Sequence, residues 1–219
     1  MKKAVICFTR VPRPGVTKTR LLPLLTPMQC AELHRAFLQD LSSVYRQIDA
    51  DLFVAYTPDA DWEQLKEVFP TATAFFPQKG HDLGEKMNHA ICHVLSLGYD
   101  AVILTGSDLP LMEKTHLESG WTALFGADVV LGSTSDGGYY LVGMKKPCPE
   151  MFEHQNYGTA TVYEHTVKAV KAAGYTLASA LPCEDVDTPD DLRWLALRVN
   201  PKSHTGRYLQ MLRKEGILL

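Results

Sequence analysis

At 219 residues, 46% of them hydrophobic, the chain is long enough to bury its own core and reads as one globular domain. Its formal net charge of -3 (22 basic, 25 acidic) gives no global attraction for nucleic acid or an acidic membrane, so an anionic ligand would need a local cluster of cations or a metal. Five cysteines without CxxC spacing argue against a disulfide framework or a zinc site and fit a reducing cytoplasm; no apolar run is long enough to span a bilayer.

In chain order, Lys3 to Phe8 reads as a buried strand. Arg10 to Arg20 is a loop punctuated by two prolines and a glycine. Thr26-Pro27 opens a helix, a capping residue followed by proline at the first helical position; its apolar stripe runs Leu33, Phe37, Leu41, Val44, Ile48. Leu52 to Tyr56 is a strand, Trp62 to Phe69 a short helix and Ala72 to Phe76 a further strand. A loop from Pro77 to Gly84 leads into a helix that runs to about Leu97 and is closed by Gly98. Ala101 to Thr105 is rich in branched apolar residues, as befits a strand buried on both faces. Lys114 to Phe125 is a helix. Val129–Gly132 and Tyr139–Met144 are strands joined so closely that the second must run antiparallel or at an edge. Lys145 to Thr159 is irregular. Thr161 to Ala173 is a helix and Tyr175 to Leu181 a strand. Thr188 to Asp191 opens a helix of the capping-box kind that runs to about Val199, and a last helix covers His204 to Glu215. Strands alternating with helices imply an α/β fold: a single domain over 1–219 with a mostly parallel sheet, helices on both faces and a helical extension over about 200–219.

Four stretches carry candidate chemistry. Gly106-Ser107-Asp108-Leu109-Pro110 places a carboxylate at the carboxyl end of the most apolar strand, where open α/β sheets bind ligands; Asp108 is either a ligand for Mg²⁺ or Mn²⁺ or a turn and capping residue. The loop from Arg10 to Arg20 holds Arg10, Arg13, Lys18 and Arg20 and no acid; it suits a polyphosphate or is a solvated basic loop, and it is neither a Walker A nor a GxGxxG motif. Asp136-Gly137-Gly138-Tyr139-Tyr140 is a tight turn or a close backbone approach to a ligand, and strand alternation lets only one tyrosine face the cleft. Asp185 and Asp187 precede a helix that Thr188 and Asp191 already cap, which leaves Asp187 free for another role, such as sharing a cation with Asp108. The loop holding Gly80 and Gly84 opens a helix and is weaker evidence. His89 and His93 have the spacing of a zinc motif, but Ala90 stands where the general-base Glu belongs.

The ordered set Pro14-Gly15-Val16-Thr17-Lys18-Thr19-Arg20-Leu21, Gln78…Asp82-Leu83-Gly84-Glu85, Gly106 to Pro110, Asp136 to Leu141, Tyr157-Gly158-Thr159 and Asp185 to Leu192 resembles the bacterial DUF2064 family. Its members are described as glycosyltransferases with the GT-A, nucleotide-diphospho-sugar transferase fold. More distantly, the layout is similar to guanylyltransferases acting on phospholactate-type substrates and to molybdenum-cofactor guanylyltransferases. The resemblance implies that the first loop (Arg10, Gly15, Lys18, Arg20) and Gly80 and Gly84 hold nucleotide phosphates, with Lys18 and Arg20 as main contacts. It implies that Asp108 and Asp187 hold Mg²⁺ or Mn²⁺, and that Gly137, Gly138, Tyr139, Tyr157 and Thr159 line the donor or acceptor pocket. Asp136 is the candidate base for the acceptor. Tyr157 stands in place of the Trp of a WGT-like motif.

The expected activity is metal-dependent glycosyl transfer from a nucleotide-sugar to a small-molecule acceptor. The alternative is nucleotidyl transfer from an NTP to a phosphorylated acceptor; a non-catalytic nucleotide-binding module is the third reading. Asp108→Asn is expected to remove activity with little loss of stability.

Overall fold

The computed structural model describes residues 1–59 and 61–217. Seven strands form one sheet: β1 (Lys3–Thr9), β2 (Asp51–Tyr56), β3 (Ala74–Pro77), β4 (Ala101–Thr105), β5 (Val129–Ser133), β6 (Tyr139–Met144) and β7 (Leu177–Ser179). Their spatial order is β3-β2-β1-β4-β6-β5-β7. Every pairing is parallel except the two made by β6, which runs antiparallel to both β4 and β5, as its short connection requires. The helices are α1 (Pro27–Tyr45), α2 (Gln64–Val68), α3 (Leu83–Ser96), α4 (Lys114–Gly126), α5 (Val162–Ala172), α6 (Pro189–Ala196) and α7 (His204–Lys214).

β4 is buried at all five positions, and alternation sends its side chains into two separate cores. Ile103 packs with Val5, Val54, Leu38, Leu41 and Trp121 under α1, α2 and α4. Val102 and Leu104 pack with Ile6, Phe53, Ile91 and Val94 under α3 and α5. Each fully buried side chain of this size contributes roughly 1.5–3 kcal/mol. A third core lies on the far side of α1, where Leu33 and Phe37 meet Leu192, Leu195, Leu209 and Leu212 of α6 and α7. The final helix is thereby fixed to α1, and Asp40 accepts hydrogen bonds from the His204 and Thr205 backbone N–H groups at 2.8 and 2.9 Å.

Several expected boundaries shorten. Ile48 packs against the core from beyond the end of α1. The helix expected from Trp62 begins at Gln64, and the strand expected from Tyr175 to Leu181 keeps only three residues, because side-chain pattern marks burial and not hydrogen bonding. The caps are as expected: the Thr26 and Thr188 hydroxyls each accept from the third helical N–H, and their own backbone N–H groups donate in return to the Gln29 and Asp191 side-chain oxygens. No described helix is long and apolar enough to cross a membrane.

The chain steps from β1 outward through β2 to β3, then returns to place β4 on the other side of β1. β1 and β4 are therefore the switch point of the sheet, and the crevice beyond their carboxyl ends is where this architecture takes a ligand. Arg10 follows β1 there, and Asp108 follows β4.

Candidate active site

A cleft of about 590 Å³ opens at that crevice. The first loop builds one wall. The Arg13 carbonyl accepts from the Val16 and Thr17 N–H groups at 3.2 Å each, which folds the Pro14-Gly15 turn back on itself. Thr17 and Leu21 are buried and pin the loop to the body of the protein. Between these anchors Lys18 takes a left-handed backbone conformation (φ 54°, ψ 36°), uncommon for a residue with a side chain. The side chain so directed is only 4% exposed.

Lys18 Nζ forms an ion pair with Asp108 Oδ1, lies 3.3 Å from Asp187 Oδ1 and donates to the Val186 carbonyl at 2.6 Å. It also stands 5.2 Å from the centre of the Phe37 ring. Arg20 reaches the other Asp187 oxygen at 3.1 Å from a far more exposed position. The Val186 N–H donates to the Asp108 carbonyl at 3.0 Å, so the segment before α6 is tied directly to the end of β4. Burial opposes ionisation of Asp108, but the charge and hydrogen bond of Lys18 together with His34 and Arg10 outweigh it and hold the carboxyl below its ordinary range. Arg10 and Lys86 also line the cleft, and neither makes an ion pair among the described residues. The cleft thus gathers four cations against Asp108 and Asp187, a surplus suited to an anion.

Two further side chains complete the floor. His34 of α1 is 2% exposed, with Nε2 at 3.4 Å from Thr9 Oγ1 and 3.5 Å from Ser107 Oγ. The Thr9 hydroxyl also donates to the Arg10 carbonyl at 2.9 Å. Burial pushes the imidazole down to about 4, against the pull of Asp108 and with Lys18 and Arg10 adding to the effect. Gln78 donates to the Thr9 and Ala55 carbonyls at 3.0 Å each, joining the ends of β1 and β2. Reading the histidines only for metal-binding spacing passes over His34. The signal is its place on the inward face of α1, three residues before Phe37.

The other expected residues are distributed differently. Asp136 does not line the main cleft. It accepts from Thr134 Oγ1 and the Gly138 N–H, closing its own turn, and faces an adjoining depression of about 580 Å³ with Glu184, Asp185, Asp190 and Trp194. Arg20 and Asp187 border both spaces. Asp185 is pushed up to about 6 by burial and by the negative charges of Asp136, Asp187 and Asp108. Tyr139 and Tyr140 both reach the cleft, although one at most was expected, because the first residues of β6 stand at its rim while their rings enter opposite cores. Tyr139 and Tyr157 place their hydroxyls 3.5 Å apart, and Thr159 is exposed and bonded to the Asn156 carbonyl; Tyr157 and Thr159 line neither space. Gly15 and Gly80 lie outside both spaces as well. Gly84 is buried at the start of α3, where a Cβ would lie 2.5 Å from the Phe152 carbonyl oxygen. Gly137 has φ +86° and comes so close to Ala160 that a Cβ would meet that carbonyl oxygen at 2.1 Å. Both glycines admit another segment of this chain. Arg13 is neutralised by Asp59 at 2.6 Å.

Asp108 after β4 and Asp187 before α6 stand close enough to share one cation, here the Lys18 ammonium. Among the described residues no group of three or more His, Cys, Asp or Glu side chains is arranged to hold one. Mg²⁺, however, characteristically takes one or two carboxylates and completes its shell with water and substrate phosphates. Asp108 and Asp187 supply those two carboxylates, and the Lys18 ammonium between them marks a position of strong cation attraction.

A family model for uncharacterised proteins conserved in bacteria, DUF2064, matches residues 40–159. The chain belongs to the DUF2064 family. Over 201 residues it is 27% identical to the 2-phospho-L-lactate guanylyltransferase of Methanothermobacter thermautotrophicus, covering 90% of this chain and 85% of that one. A crystal structure from Desulfovibrio desulfuricans G20, provisionally named a nucleotide-diphospho-sugar transferase, superposes with a TM-score of 0.90 at 33% identity, and 100% of each chain is covered. The 4-diphosphocytidyl-2C-methyl-D-erythritol synthase of Anaerococcus prevotii shares the fold at a TM-score of 0.59 and 11% identity, over 95% of this chain and 99% of that one.

Proposed function

We propose that this DUF2064 protein is a transferase that joins a nucleotide to a small phosphorylated acceptor, releasing pyrophosphate. The observation that carries the reading is the Lys18–Asp108–Asp187 cluster at the sheet's switch point, flanked by Arg10, Arg20 and Lys86. A triphosphate together with an acceptor phosphate brings more negative charge than a nucleotide-sugar, and this cleft has two cations without acid partners to meet it. The guanylyltransferase named above aligns over most of both chains and supports the same class.

In this reading Arg10 and Lys86 bind phosphate oxygens and Arg20 orients them from the rim. Asp108 and Asp187 would hold Mg²⁺ or Mn²⁺, which would supply Lewis-acid stabilisation of charge developing on the phosphates. An acceptor phosphate oxygen attacks the α-phosphorus, and the bond to pyrophosphate breaks. The incoming oxygen is already anionic, so no general base is required, and Asp136, with its carboxylate committed to its own turn, is not needed as one. His34 stays neutral and holds the Thr9 and Ser107 ends of β1 and β4 in register. Five free cysteines agree with a cytoplasmic setting.

Glycosyl transfer from a nucleotide-sugar is the second reading, favoured by the provisional name of the 33% identical structure. Incubation with each NTP, Mg²⁺ and a panel of phosphorylated hydroxy acids separates the two. Pyrophosphate release that depends on the acceptor is the expected result. Release of a nucleoside diphosphate from a nucleotide-sugar, with no pyrophosphate from any NTP, would establish glycosyl transfer instead. Nucleotide binding that survives Asp108→Ala without turnover of any donor would leave a binding module.

A further inference from the structure

We infer that the Lys18 ammonium is a built-in stand-in for the divalent ion. It holds the position between Asp108 and Asp187 in the free protein and yields it when nucleotide phosphates offer it another partner. The inference rests on the nucleotidyl-transfer reading above and concerns how that site is loaded.

Three observations carry it. Lys18 Nζ touches one carboxylate oxygen of Asp108 and lies 3.3 Å from one of Asp187, with the Val186 carbonyl as a third oxygen at 2.6 Å. Two carboxylates and a carbonyl form an oxygen cage of the kind hard divalent cations take. Lys18 is also the inner cation of the cluster, its side chain 4% exposed against 69% for Arg20. Finally, its left-handed backbone sits between the turn closed by Arg13 and Thr17 and the short helical turn from Thr19 to Leu21. The flanking turns are anchored, so rotation about the Lys18 side-chain torsions would redirect the ammonium without moving the loop's attachments.

The consequence is a coupling between metal and nucleotide. A divalent ion arriving alone must evict a tethered charge and leave an ammonium beside it near the Phe37 ring. A triphosphate arriving with the ion supplies new oxygens for that ammonium, and the carboxylates are released to the metal. Each ligand then raises the affinity for the other by the same factor. Arg20, exposed and paired only with Asp187, does not hold the cage closed.

The test is titration of Mn²⁺ alone, read by electron paramagnetic resonance, into the wild type, Lys18→Met and Lys18→Arg, repeated with each of the four NTPs. The inference expects Lys18→Met to bind Mn²⁺ alone at least ten-fold more tightly than the wild type, and Lys18→Arg to gain no more than two-fold. If Lys18 served only the fold or only the phosphates, Lys18→Met would bind Mn²⁺ alone no better than the wild type; that result overturns the inference, and Mn²⁺ uptake by the wild type with nucleotide would leave the metal site itself standing. If no form takes up Mn²⁺ even with nucleotide, the metal site and this inference fail together. Should Lys18→Met not fold alone, recovery of its far-UV circular dichroism on adding Mn²⁺ supports the inference, and no recovery counts against it.

Discussion

The buried histidine beneath the cleft should make the protein acid-sensitive in a way that one substitution isolates. In the unfolded chain His34 binds a proton below about 6.5, whereas burial lowers its affinity in the fold to about 4. Because the folded value is the lower one, the stabilisation is complete above the unfolded value and is lost as the pH falls toward the folded one. A depression of this size corresponds to about 3 kcal/mol lost between pH 7.5 and pH 4, at 1.36 kcal/mol per pH unit. Urea unfolding of the wild type and His34→Gln at half-unit pH intervals measures it. The difference in stability between the two proteins should shrink by that amount, with most of the change below pH 6.5. Parallel curves would refute the claim that His34 is held neutral between Thr9 and Ser107.

Asp108→Asn should abolish pyrophosphate release, and thermal unfolding should show a loss of about 1–3 kcal/mol, since the buried Lys18 would keep only Asp187 and the Val186 carbonyl; this revises the small stability change expected from sequence. Tyr45→Phe should cost about 1 kcal/mol in chemical denaturation through loss of the buried 2.7 Å hydroxyl contact with Thr105, leaving nucleotide binding unchanged. Gly137→Ala should lower the melting temperature, because its Cβ would overlap the Ala160 carbonyl and the residue holds φ +86°; an unchanged melting temperature would contradict that close approach. Arg10→Ala and Lys86→Ala should each weaken NTP binding in isothermal titration with little effect on stability, as neither side chain has an acid partner to lose.

Local pattern made some features legible. The run Ala101 to Thr105 announced a central strand, and the glycine, acid and proline after it announced its end. Thr26 and Thr188 fixed two helix starts through capping chemistry confined to four residues. What the sequence could not display are pairings made by the sheet order itself. Lys18 and Asp187 are 169 residues apart and meet because α6 packs beside the first loop. Arg13 looked equivalent to Lys18 and Arg20, yet Asp59 neutralises it away from the cleft. Gly84 and Gly137 looked like room for a ligand, and that room is filled by Phe152, Tyr157 and Ala160. Small residues report that something comes close, not what it is.

The most direct test of the central claim is a thermal-shift comparison of the wild type and Asp108→Ala with each NTP, with and without Mg²⁺. A ligand at about 100 times its dissociation constant adds roughly 2.7 kcal/mol of stability, well within reach of the method. The account predicts a shift for at least one triphosphate that needs Mg²⁺, exceeds that of the matching nucleotide-sugar and disappears in Asp108→Ala. A shift independent of Mg²⁺ and unchanged in Asp108→Ala, or none with any nucleotide in a folded protein, would contradict it.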